Sequence, residues 1–211
     1  MENISFYILE FSTVFFITLL AVITPGSDFV ITIKNSISTS KVSGIYTALG
    51  ISVAILVHTL YTLIGIGFFL SKSETLLLTI RIIGALYLIY LGIFSIINSG
   101  RIEVISFKKR KISNIDSFRS GFFTNLFNPK ATIFYLSIFT QIVSNKTPLL
   151  IKIFYGISIS LVCFTWFSLV AIILNDLKVK SKFLKFQKPI EVFLGLALIG
   201  FGLNIGFLIG S

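Results

Sequence analysis

The chain has 211 residues, of which 55% are hydrophobic and 12% charged, and its mean hydropathy is +0.98. That balance excludes an ordinary water-soluble domain and predicts a chain that lives in lipid. The single cysteine, Cys163, excludes an intrachain disulfide or cysteine cluster, the single histidine, His58, argues against a histidine-built metal site, and no cofactor is implied.

Six apolar segments reach or exceed the roughly 20 residues that span about 30 Å of hydrocarbon: residues 4–33, 44–70, 75–97, 118–143, 148–174 and 189–209. Met1 to Ser5 carries Glu2 and no basic residue, unlike the n-region of a signal peptide, so the first segment reads as mature structure. It is too long for one straight span, so Pro25-Gly26 either bends it or ends it and begins another helix. Glu10 in the first segment and Arg81 in the third lie a turn or two inside and are expected to reach the outer interface. The fourth segment is interrupted by Asn125-Leu126-Phe127-Asn128-Pro129-Lys130. Glu191 follows Lys188-Pro189 and reads as a charge at the start of the sixth helix. Gly202, Gly206 and Gly210, with Gly84 and Gly92, are small residues that either pack one half of the chain on the other or form the face of a homodimer.

The net charge of +10 sits between the spans. Lys34 and Lys41, then Arg101, Lys108, Lys109, Arg110, Lys111 and Arg119, then Lys178, Lys180, Lys182, Lys185 and Lys188 follow the first, third and fifth segments. The other side holds only Lys72, Arg81, Lys146 and Lys152. The positive-inside rule puts the richer loops in the cytoplasm and both termini outside; a first segment that only re-enters would move the N-terminus inside. Lys108 to Lys111, and Lys178 to Lys188 with its interleaved Phe183, Leu184 and Phe186, then face anionic lipid headgroups rather than nucleic acid.

An offset of 104 carries Pro25 onto Pro129, Gly44 onto Pro148 and Gly92 to within one residue of Gly195. Three spans per half is an odd number, so the halves, residues 1–105 and 106–211, insert with opposite orientation. The expected fold is an all-α membrane protein of six transmembrane helices in two inverted three-helix repeats, with helices 1 and 4 broken at Pro25-Gly26 and Asn128-Pro129. Breaks in lipid survive where they line a protein-enclosed cavity, and repeat-built transporters bind substrate there.

Ile23 to Phe29 with Ala48 to Ile51 and Leu56 to Leu60, Gly84 to Gly92, and Phe118 to Phe122 leading to Asn125 to Ala131 resemble the LysE/RhtB amino-acid exporters over nearly the whole chain. Ser27 stands where many members carry a second proline, as Pro-Gly-Pro. The resemblance implies efflux of amino acids or close derivatives across a bacterial inner membrane, by a translocator that is not an enzyme and that works as an antiporter driven by protons.

The residues suit such a substrate. Half-helix N-termini complement a carboxylate and half-helix C-termini an ammonium. Gly26 lets backbone approach closely, and Pro25 and Pro129 remove helical hydrogen bonds. A carboxyl group at Asp28 is costly to hold charged in a low-dielectric cavity, which makes it a candidate proton carrier or ammonium site, the alternative being a helix N-cap. Lys130 meets a substrate carboxylate, opposes Asp28 or snorkels to the interface. Asn125 and Asn128, three apart on one face, bond substrate or tie broken backbone together. His58, in the middle of the second span, either shuttles protons or is a neutral ring bonded to a neighbouring helix. A passive channel also uses broken helices. An intramembrane hydrolase would draw on Ser27, Asp28 and His58, but no Gly-x-Ser-x-Gly elbow is present.

Overall fold

A computed structural model describes residues 2–70, 74–100, 109–141, 143, 147–174 and 177–210, and the regular structure within them is entirely helical. In chain order the helices are α1 (Glu2–Ile23), α2 (Ser27–Ser38), α3 (Lys41–Leu70), α4 (Glu74–Ile97), α5 (Asn114–Leu126), α6 (Pro129–Gln141), α7 (Leu149–Ile173) and α8 (Leu177–Gly210). Five of them, α1, α3, α4, α7 and α8, contain stretches long and apolar enough to cross a membrane. The other three have 12, 13 and 13 residues, which at 1.5 Å per residue come to roughly 20 Å or less, too short to cross alone.

The first and fourth apolar segments are therefore each divided, and the sequence says why. Pro25 has no N–H for the carbonyl of Ala21, and with the extended Gly26 after it the helix ends here. Both the amide and the hydroxyl of Thr24 turn back to Leu20 O, at 3.2 and 2.8 Å. Gly26 is extended, with φ −161° and ψ −164°, and α2 starts after it without a side-chain cap. At the second break Pro129 occupies the first position of α6, where its missing N–H costs nothing. Asn128 caps that helix, its Oδ1 accepting from Lys130 N at 3.0 Å.

The long α3 lies against α2, α5 and α7, and α4 lies along α8 and against α6. These contacts are close because glycines meet backbone. A Cβ on Gly50 of α3 would run into Phe118 O of α5, and one on Gly121 of α5 into Thr47 O of α3. Gly92 of α4 and Gly195 of α8 oppose each other in the same reciprocal way, and Gly202 packs on Ala85 and Ile89. Gly202 thus serves packing within the chain, while Gly206 has open space beside it. Val14, Ile17, Phe29, Ile51, Ile55, Ile138 and Tyr155 fill the buried centre.

The structure corrects three sequence expectations, with one physical cause. Glu10 is buried, not interfacial, and accepts from Thr147 Oγ1 at 3.0 and 2.9 Å and from Tyr155 O–H at 2.9 Å. Arg81 turns inward, its Nε donating to Thr140 O at 2.9 Å. The last helix begins at Leu177 and carries Pro189 inside it, so Glu191 is not at a helix start. Glu191 is buried and accepts from Gly100 N at 2.6 Å and Gln187 Nε2 at 2.8 Å. A charge near the ends of apolar helices has two ways to find partners, the interface or the protein interior, and residue spacing along one helix does not distinguish them. Lys72, Arg101, Lys108 and Lys146 lie outside the described residues, as do the side chains of residues 175–184.

Candidate functional site

The two breaks, far apart in sequence, meet. Asn125, at the end of α5, donates through Nδ2 to Asp28 Oδ2 at 2.9 Å, and Asn128 donates through Nδ2 to Ser27 Oγ at 2.9 Å. α5 ends at Leu126, so the two asparagines do not share one helical face; Asn125 from α5 and Asn128 from the cap of α6 reach the two residues that open α2. Asp28 is the second residue of α2, and it makes no cap bond there, so the N-cap alternative does not describe it.

A cavity of about 490 Å³, including its open mouth, lies at this junction. Its polar lining includes Thr24, Asp28, Asn125, Asn128, Lys130 and Tyr135. The rest is mostly apolar, with Phe29, Ile55, Ala131, Phe134 and Phe167 among the walls. Such a composition, apolar with a few convergent polar groups, is that of a small-molecule site. Among the buried polar atoms without a hydrogen-bond partner are Asp28 Oδ1 and Asn125 Oδ1, the free oxygens of the two groups that join the breaks. An unpartnered buried acceptor costs about 1–3 kcal/mol, so a donor entering here recovers that energy.

Lys130 stays in the protein. Its Nζ lies 3.6 Å from where a Cβ on Gly26 would be, which puts the ammonium beside the first break. Lys130 and Asp28 line the same cavity without a direct ion pair. Lys130 also borders a second cavity, shared at Thr24 and Gly26 and continuing along Leu91, Phe94, Ser95 and Asn98 of α4 and its C-terminal end.

His58 is fully buried on α3. Its Nε2 lies 3.2 Å from Asn125 O and its Nδ1 bonds the Tyr61 hydroxyl. The Tyr135 ring stacks on it at 5.4 Å with an interplanar angle of 8°. Both imidazole nitrogens and Ser27 Oγ are thus engaged elsewhere, and Ser27, Asp28 and His58 form no hydrogen-bonded nucleophilic triad. Pro25 and Gly26 lie between α1 and α2, and Pro129 opens α6; no other backbone lies within 4 Å of the Cβ position of Gly26. Sequence reasoning missed Tyr61, Tyr135, Phe134 and Phe167. Tyr61 was within reach of it, being three residues after His58 on the same helical face; nothing in the sequence marks the other three among its many aromatics.

The LysE type translocator family matches residues 19–208 of the chain. The chain is similar to an uncharacterized membrane protein, YrhP, of Bacillus subtilis, with 30% identity over 90% of this chain and 95% of that protein. It is also similar to proteins named threonine efflux protein, with 28% identity in Escherichia coli K12 and 27% in Salmonella typhi, each covering 92% of this chain and 96% of the relative. No solved structure matches the chain significantly.

Proposed function

The chain belongs to the LysE type translocator family, and on that footing we propose that this amino-acid efflux transporter exports a neutral amino acid from the cytoplasm in exchange for protons. One observation carries the reading: a single cavity presents two free acceptor oxygens, on Asp28 and Asn125, and an ammonium, on Lys130, with no ion pair between the charges. The N-terminus of α2, which has no side-chain cap, adds the positive end of its helix dipole beside Gly26. A zwitterion complements this set, its ammonium at Asp28 and Asn125 and its carboxylate at Lys130 and the α2 terminus. That uses both charges of the cavity, so the side chain is left among apolar walls, which favours a neutral one. The relatives named for threonine efflux support the same class.

Proton coupling follows from the same atoms. The substrate ammonium and a proton compete for Asp28: the carboxylate binds substrate from one side, and after release a proton on Asp28 removes the buried negative charge for the return. Alternating access between residues 1–105 and 106–211, as inverted repeats in a bacterial inner membrane, is supported by the break-to-break contact and by the reciprocal Gly92–Gly195 packing of α4 on α8. The cytoplasmic placement of the basic loops is supported by two contacts that gather them at one end. Arg110 N donates to Ser38 O at 2.8 Å, and Lys188 lies beside Gly100.

The test is export of radiolabelled amino acids from cells with and without the protein, using lysine, arginine, threonine, homoserine and leucine. Export of a neutral member, abolished by collapsing the proton gradient, is expected. Export of lysine or arginine alone, or downhill movement indifferent to the gradient, sinks the proposal.

A further inference from the structure

We infer that His58 is a positioning residue of the transport site, which supplies to the second break the hydrogen-bond donor that Pro129 lacks. In a continuous helix the carbonyl of Asn125 would accept from the N–H of residue 129. Residue 129 is proline and has none. The N–H of Asn128, at 3.0 Å, and that of Phe127 turn toward that carbonyl from the same stretch of backbone, while His58 Nε2, 3.2 Å away, is the donor that reaches it from another helix. A carbonyl oxygen only accepts, so the proton is on Nε2. In the neutral ring Nδ1 is then an acceptor, and the Tyr61 hydroxyl, one turn on along α3, is its donor.

The imidazole is thereby held at both nitrogens and on one face, where Tyr135 stacks. Its bond falls on the backbone of the residue whose side chain holds Asp28. His58 thus fixes the end of α5 against α3 and, through Asn125, the acceptor pair of the cavity. A proton-shuttling role fits this geometry poorly. Between Asp28 and the ring stands only the amide residue Asn125, which has no readily dissociable proton, and the ring's acceptor nitrogen is bonded to Tyr61. At the first break no side chain among the described residues donates to the carbonyl of Ala21, which lacks a donor at Pro25, and Ala21 lines the cavity.

The inference rests on the proposed transport site, but one arm of its test does not. In thermal unfolding of the purified protein, His58→Leu removes the donor and lowers Tm; Pro129→Ala returns an N–H to the same carbonyl and should recover most of that loss in the double variant. Simple additivity of the two changes overturns the donor role whatever the protein transports. In proteoliposomes, His58→Gln, whose amide can donate but does not titrate, should keep the transport rate within about threefold and leave the pH profile unchanged, while His58→Leu should raise KM about tenfold more than it lowers kcat. A His58→Gln variant that assembles but loses transport, or whose pH profile flattens, shows that the ring titrates in the cycle and refutes positioning. A failure of every variant and of the wild type to move amino acids refutes the transport reading instead, and leaves the unfolding arm to decide the donor role.

Discussion

Replacing Asp28 by asparagine removes one negative charge from the cavity and almost no volume. The change should spare the fold, since the amide oxygen of the new side chain can still accept from Asn125 Nδ2, the bond that now runs to Asp28 Oδ2 at 2.9 Å. What it removes is a charged acceptor for the substrate ammonium. Hydrogen bonds to charged groups are worth about 1.5–3 kcal/mol, and about 1.4 kcal/mol is a factor of ten, so affinity should fall roughly 10- to 150-fold. The substituted amide also has no carboxyl to protonate, so coupling should fail outright rather than by degrees. Binding of a radiolabelled neutral amino acid to purified protein measures the first effect. Proteoliposomes measure the second: uptake driven by a pH gradient should drop to the leak rate, while substrate-for-substrate exchange at high concentration persists. Wild-type affinity together with wild-type proton-driven transport in a correctly folded Asp28→Asn protein would refute the assignment of Asp28.

Lys130→Ala should weaken substrate binding about tenfold by removing the ammonium opposite the substrate carboxylate, while the yield of monodisperse protein stays the same; unchanged affinity places the carboxylate elsewhere. Gly50→Ala forces a Cβ onto the backbone of α5 at Phe118 and Phe122, an overpacking of about 1–3 kcal/mol, which lowers Tm by roughly 3–10 °C. Gly200→Ala, with nothing within 4 Å of its Cβ position, should leave Tm unchanged, so an equal loss in both variants contradicts the packing argument.

The two helix breaks, the apolar segments and their chemistry were legible because lipid leaves few options. A run of apolar residues must be helical there, and a proline inside one must open the backbone at a predictable carbonyl. The same logic marked Asp28, Asn125, Asn128 and Lys130, since polar groups are scarce in such segments and costly without a partner. What one sequence does not contain is the rotation of each helix about its axis and the identity of its neighbour. Those decided that Asn125 reaches Asp28 and Asn128 reaches Ser27. They also decided that Glu10 and Arg81 turn inward, and that Glu191 of α8 closes on Gly100, just past the end of α4. The starting point of the last helix escaped for a related reason: the basic stretch before Pro189 is not apolar, yet it continues the helix. Local chemistry along the chain determined that two polar breaks exist in lipid. Only the tertiary packing, including the close approach of α3 and α5 through glycines that admit bare backbone, brought those breaks to one cavity and set His58 behind Asn125, because such contacts depend on the shapes of two helices at once.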